Sequence, residues 1–238
     1  MTNPKQFWAV IPAAGAGKRM RADRPKQYLE LAGKAVLAHS LDRLLALPQV
    51  NGAVLALDPD DDYWPGLNYQ HDKTLLTTAG GKERCDSVLA ALYALRDHLG
   101  ATDDMVWVLV HDAARPCVRK ADMQTLIDEA SHDDDGGLLA LPVRDTMKRQ
   151  LANGRVQTTV DRTGLWHALT PQMFKLDLLI SALEHCFEKK LHVTDDASAM
   201  ELAGYHPHLI EAHEDNIKIT RPFDLTLAGL YLKEQAND

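Results

Sequence analysis

Between Val10 and Tyr28 the chain reads VIPAAGAGKRMRADRPKQY, passing from an apolar run into small residues and then into a cationic patch. There Lys18, Arg19, Arg21, Arg24 and Lys26 stand against a single acid, Asp23. A strand that ends in Ala13-Ala14-Gly15 lets backbone N–H groups approach an anion without interference from bulky side chains. Cations that follow at once can close over the same anion. The chemistry this suits is the holding of a polyphosphate.

Two familiar phosphate loops are excluded by spacing. A P-loop requires Gly five residues before its Gly-Lys pair and Ser or Thr after it. Here Pro12 and Arg19 occupy those places. The dinucleotide fingerprint requires a third Gly where Met20 stands. A second glycine-ended strand, Thr74–Thr78 before Gly80-Gly81, offers backbone to the same ligand. A third strand, Met105–Val110, is apolar throughout and so belongs at the centre of a sheet covered on both faces. It ends in HDAARP, which puts Asp112 and Arg115 at the carboxyl end of the sheet, the edge where open α/β sheets bind ligands. Two roles are open to Asp112: holding the magnesium that accompanies a nucleotide, or capping the next turn.

The elements that must position these residues alternate. Helical stripes fall at Val36–Leu47, Arg84–Leu99, Ala121–Ser131 and Leu176–Phe187, between short apolar strands. Another helix opens after Thr194, read as its N-cap, and stops at Gly204. A last helix begins at Pro222, a residue favoured in a first turn. The pattern predicts a single α/β domain over 1–238, a three-layer Rossmann-like fold with a mostly parallel sheet. One segment departs from it. Met147–Leu151 and Arg155–Val160 flank Asn153-Gly154, a hairpin signal with polar, threonine-rich strands. Such a hairpin has little to bury in its own subunit, so residues 143–168 are expected to project as an arm onto a partner chain.

The net charge of −8 disfavours broad nucleic-acid or acidic-membrane binding, so a basic loop here implies a local anionic ligand. Three cysteines without C-x-x-C spacing suit a reducing compartment, and no apolar run resembles a signal peptide or a membrane span. A cytoplasmic enzyme is expected.

PAAGAGKRM, PKQYL, HDAARP, PVRDTMKR, TDDAS and NIKITRP occur in this order along nearly the whole chain. Together they resemble the 2-C-methyl-D-erythritol 4-phosphate cytidylyltransferases, which belong to the wider nucleotidyltransferases of nucleotide-diphospho-sugar type. The resemblance implies transfer of CMP from CTP to methylerythritol phosphate, with Mg2+ as cofactor and a homodimer built through the arm. It implies that Arg19 and Lys26 stabilise the transition state and that Arg162 and Lys218 position the phosphorylated substrate. It places Ala13, Ala14, Gly15, Lys18, Gly81 and Ser87 around the nucleotide, and Asp112 on the metal. Arg115, Thr146 and Thr194 would line the substrate pocket, with Arg162 reaching a neighbouring subunit's site. Lys82 departs from the family pattern, which has an acidic residue after the glycine pair. Two other functions compete: a nucleotidylyltransferase acting on a sugar phosphate, and a nucleotide-binding regulator without catalysis.

Overall fold

The computed structural model describes residues 4–15, 20, 23–100 and 105–236. The chain opens with β1 (Gln6–Pro12), a small hairpin of β2 (Glu30–Leu31) and β3 (Lys34–Ala35), and α1 (Val36–Leu45). There follow β4 (Val50–Leu57), α2 (Tyr63–Leu67), β5 (Thr74–Ala79), α3 (Arg84–Leu99), β6 (Val106–Val110), α4 (Lys120–Ala130) and β7 (Gly137–Pro142). A separate two-stranded ribbon, β8 (Met147–Gln150) and β9 (Val156–Val160), leads into β10 (Trp166–Lys175) and α5 (Leu176–Glu188). The chain finishes with α6 (Asp196–Leu202), β11 (His208–Glu211) and α7 (Pro222–Gln235).

Seven strands form one sheet in the order β11-β7-β10-β6-β1-β4-β5. β5, β4, β1 and β6 run parallel, and β10 is antiparallel to both neighbours. Because side chains alternate across a strand, the apolar run of β1 serves two cores. Phe7, Ala9 and Ile11 pack with Leu37, Leu41 and Leu44 of α1 and with Met123 and Leu126 of α4. Trp8 and Val10 face Val88, Leu92 and Leu95 of α3 and Leu179 and Leu183 of α5. β6 divides in the same way, Trp107 and Leu109 to the first core, Val108 and Val110 to the second. Helices on both faces of a nearly parallel sheet make the expected three layers.

Three details differ from the sequence reading. β10 was not anticipated, because Pro171 interrupts it and proline removes a ladder hydrogen bond. The strand accommodates Pro171 at a break in register with β7 between Ala168 and Gln172. The N-cap of α6 is Asp195 and not Thr194: its carboxylate accepts from Ser198 N at 3.0 Å, and Ser198 Oγ accepts from Asp195 N at 3.2 Å. This reciprocal capping box satisfies two end groups that a threonine one residue earlier does not reach. The β2–β3 hairpin and α2 are short additions that the periodicity did not predict.

The β8–β9 ribbon forms its own sheet. Leu151 N donates to Arg155 O at 2.8 Å, and Gly154 takes φ +83°, which glycine adopts without strain. Its strand residues are exposed except for the half-buried Val160, and they include Met147 and Val156; Leu151 and Leu165 are also exposed.

Candidate active site

The carboxyl ends of β1, β5 and β6 meet at the point where the sheet order turns back on itself, with β4 on one side of β1 and β6 on the other. Beyond Pro12, Ala13 N donates to Ala56 O at 2.8 Å and Ala13 O accepts from the buried Gln27 Nε2 at 2.6 Å. These bonds hold the small-residue loop open. Gly80 N donates to Leu57 O at 2.6 Å, and Gly81 N to Ser87 Oγ at 3.0 Å. A side chain at Gly80 would meet Ala14 Cβ at 2.6 Å and Ser87 Oγ at 2.9 Å, so glycine is what lets the two loops close together over β4. Ala14, Gly15, Gly81 and Ser87 thus line one cleft with Lys26, Asp112 and Lys218, and Lys82 is on its rim.

Lys26 enters from the short 3-10 turn Lys26–Tyr28, and its Nζ donates to Ile219 O at 2.9 Å. The expected contributions of Lys18 and Arg19, like those of Arg21, lie outside the described residues. Arg24 pairs with Asp23 at 3.5 Å.

Asp112 is the hub. Its Oδ1 accepts from Arg84 Nε at 3.1 Å, and its Oδ2 from Lys218 Nζ at 2.8 Å and Arg115 Nε at 3.3 Å. Burial pushes the carboxyl up, but the charges of Arg84, Lys218 and Arg115 outweigh it and hold Asp112 far below the usual carboxylate range. Arg84 continues to Asp196, whose Oδ2 accepts from its Nη2 at 2.8 Å. Three cations therefore face Asp112 and Asp196, with Asp195 also lining the second recess, and it is Lys26 and Lys82 that bring an excess of positive charge to the first cleft in a chain of net charge −8. That excess is placed where an anion would bind.

A second recess opens on the other side of the same hub. It is lined by Arg115, Thr170, Gln172 and Thr194 together with Arg84, Asp112 and Lys218. Three of the residues expected at the phosphorylated substrate, Arg115, Thr194 and Lys218, are thus brought together. Thr146 and Arg162 are not: both are exposed at the arm and line neither recess of their own subunit.

Several residues of this site were given no role from the sequence, although Asp196 and Asn216 fall within the TDDAS and NIKITRP motifs. Arg84 precedes an ordinary helical stripe, and Asp196 stands beside a better capping residue. Thr170 and Asn216 organise the backbone beneath Asp112: Thr170 Oγ1 accepts from Asp112 N at 3.1 Å, and Asn216 Nδ2 donates to Thr170 O at 2.9 Å. Gln172 ties β10 to α6 by donating to Asp195 Oδ2 at 2.8 Å and accepting from Ala197 N at 2.7 Å.

His111 is structural. Its Nε2 lies 3.0 Å from Arg115 O, which can only accept, so the proton sits on Nε2 and Nδ1 accepts from the Thr170 hydroxyl at 3.1 Å. Complete burial lowers its pKa from 6.5 to about 4. In the unfolded chain it titrates near its ordinary value, so between about pH 6.5 and 4 the unfolded state binds the extra proton. Stability from this group is complete above that window and is lost as the pH falls through it, by ~3 kcal/mol in all. Urea unfolding of the metal-free protein across the window should show this decline, and His111→Asn should flatten it. An unchanged pH slope in the variant would assign the decline to other groups.

A glycine-lined backbone cradle beside a second recess lined by Arg84, Arg115 and Lys218, at the carboxyl edge of a Rossmann-like sheet, is the arrangement of a nucleotidyltransferase. The profile of the 2-C-methyl-D-erythritol 4-phosphate cytidylyltransferase family matches residues 7–234, and the chain belongs to that family. It is 55% identical over 219 residues to the enzyme of that name from Pseudomonas putida strain GB-1, covering 92% of each chain. It is 49% identical to that of Aliivibrio fischeri strain ES114 over 238 residues, covering all of this chain and 98% of the relative. Among solved structures, a 4-diphosphocytidyl-2C-methyl-D-erythritol synthase superposes with TM-score 0.82 at 35% identity, covering 96% of this chain and 99% of that one. The Francisella tularensis 2-C-methyl-D-erythritol 4-phosphate cytidylyltransferase gives TM-score 0.81 at 35% identity, covering 95% and 99%.

Proposed function

We infer that this enzyme transfers CMP from CTP to 2-C-methyl-D-erythritol 4-phosphate and releases pyrophosphate. The observation that carries the reading is the Arg84–Asp112–Lys218 hub, which forms a common wall of the glycine-lined cleft and the Arg115–Thr194 recess. The nucleotide occupies the first and the phosphorylated polyol the second, so the two reacting phosphates meet at the hub. An oxygen of the polyol phosphate forms the new bond to the α-phosphorus in line, and the bond to the pyrophosphate oxygen breaks. No base is needed, because a phosphate nucleophile is already ionised.

Both reactants are anions. At 4 Å and an effective dielectric of 20, each like-charged pair costs ~4 kcal/mol. Converging cations offset that cost: Lys26 faces the α-phosphoryl group, a role the family resemblance extends to Arg19, while Lys218, Arg115 and the partner-borne Arg162 hold the acceptor phosphate. Catalysis is then positioning plus charge stabilisation.

Asp112 offers one carboxylate at the cleft, and the described residues hold no cluster of three or more metal-ligating side chains. That donor set fits a magnesium ion carried largely by the nucleotide phosphates and water. When bound, magnesium neutralises the charge that develops on the departing pyrophosphate. Asp112 would be the side chain that holds such an ion at the cleft. Asp112→Asn should therefore raise the magnesium concentration giving half-maximal rate, with partial rescue at high metal. An unchanged magnesium titration would leave Asp112 only its role as partner of the three cations.

The arm is proposed to join two copies of the chain. Its exposed Met147, Leu151, Val156 and Leu165 supply apolar area that the subunit itself leaves uncovered. A cytoplasmic location is supported by Cys85, Cys117 and Cys186, all free thiols. No helix among the described residues is long and apolar enough to cross a membrane.

The purified chain should release pyrophosphate only when CTP, magnesium and 2-C-methyl-D-erythritol 4-phosphate are all present. Equal release with a sugar 1-phosphate would favour the sugar-phosphate reading. Tight CTP binding without release under any pairing would mark a regulator.

A further inference from the structure

Arg84 sits at the first position of α3, after a capping box in which Glu83 N donates to Asp86 Oδ2 at 2.9 Å. That box fixes where the helix starts and so where the Arg84 side chain leaves it. The guanidinium then bridges two carboxylates from distant parts of the chain, Nε to Asp112 Oδ1 at 3.1 Å and Nη2 to Asp196 Oδ2 at 2.8 Å. The division of oxygens on Asp112 is informative. Arg84 takes Oδ1, while Lys218 and Arg115 share Oδ2. Arg84 therefore sets the rotation of the Asp112 carboxylate, and that rotation sets where the Lys218 ammonium rests.

Asp196 makes sense only in this light. It is wholly buried, its Oδ1 has no hydrogen-bond partner, and Asp195 beside it already caps α6. A buried carboxylate with one oxygen unsatisfied is costly unless a cation holds it. Arg84 is the cation that does so, and Asp196 in return restrains the guanidinium from the side away from Asp112.

We propose that Arg84 is a positioning residue for cytidylyl transfer: clamped by Asp196, it orients Asp112 so that Lys218 stands at the border of the two recesses. The proposal rests on the reaction inferred above. Arg84 acts through Asp112: its Nε and Nη2 are engaged by Asp112 and Asp196.

Lysine keeps the charge, but a single ammonium lacks the planar fork that meets two carboxylates at once. In Arg84→Lys the kcat should fall about 10²-fold, the scale expected when a reacting group is misplaced by about 1 Å. Binding of CTP, measured by calorimetry, should fall by a much smaller factor than kcat, because Arg84 forms one wall of the cleft while the glycine backbone opposite it is unaltered. Asp196→Asn still accepts a hydrogen bond from Arg84 but loses the charge, so its kcat should fall by a smaller factor in the same direction. Unchanged kcat and KM in folded Arg84→Lys, with only the melting temperature lowered, would make Arg84 a structural tie and overturn the proposal. Equal losses of CTP binding and turnover would make it a nucleotide ligand and overturn it as well. A crystal structure of Arg84→Lys gives a readout independent of turnover: the Lys218–Asp112 Oδ2 contact should be lost, and its persistence at the present 2.8 Å would also overturn the proposal. If the wild type failed to turn over the proposed substrates, the reaction would fall while that crystal structure still decided the positioning role.

Discussion

Lys26→Ala is expected to lower kcat by about 10²–10³-fold while the protein stays folded, the usual cost of removing one preorganised donor from developing charge. Lys26 lines the glycine-lined cleft, and its ammonium is fixed from behind by the Ile219 carbonyl at 2.9 Å. The next residue, Gln27, holds the Ala13 carbonyl at 2.6 Å, so the turn that carries the ammonium is tied to the end of β1, where the nucleotide is proposed to bind. A charge stabiliser must be in place before the reaction, and these contacts hold Lys26 at the cleft. Loss of one charge-assisted hydrogen bond should cost stability only ~1.5–3 kcal/mol. Circular dichroism and thermal melting establish the fold, and pyrophosphate release at saturating substrates gives kcat. A folded variant with near-normal kcat would remove Lys26 from the catalytic set.

Equal mixing of two inactive variants, Arg162→Ala and Lys26→Ala, is expected to restore activity to about a quarter of the wild-type sites, as random pairing in a two-fold dimer gives. Arg162 is exposed and lines neither recess of its own subunit, while Lys26 lines the cleft directly. If the arm serves the partner's site, each mixed dimer gathers both lesions in one site and leaves the other intact. If each site is built from one chain, every site in the mixture stays damaged. The mixture must be exchanged by partial unfolding or co-expression, and mixed dimers verified by differential tagging. Recovered activity supports a shared site, and none with mixed dimers present would confine Arg162 to its own subunit.

Legibility of the fold followed the range of the interactions involved. α3 begins and ends where its apolar stripe predicts, at Arg84 and Leu99, because helix periodicity is a local property. The Asn153-Gly154 turn was legible for the same reason, since φ +83° at Gly154 is a local demand. β10 was hidden because Pro171 argues locally against a strand, and only the register break against β7 makes room for it. Thr194, Asp195 and Asp196 follow one another before α6, and propensity does not choose a cap among them. The reciprocal bonds with Ser198 choose Asp195.

The sequence by itself determined the chemistry. Glycine-ended strands, a cationic loop and an Asp-Arg pair after a buried strand already point to an anion site at the carboxyl edge of an α/β sheet, because each is a short-range pattern, although Asp112 by itself was open to a metal or a capping role. Only the tertiary structure decided how the charges are shared. Arg84 and Asp196 are 112 residues apart, and Arg84 and Asp112 are 28 apart. No spacing rule links them, and their pairing exists because α3, β6 and α6 converge on one end of the sheet. There burial makes an unpaired carboxylate costly, so long-range packing selects the partner of each charge.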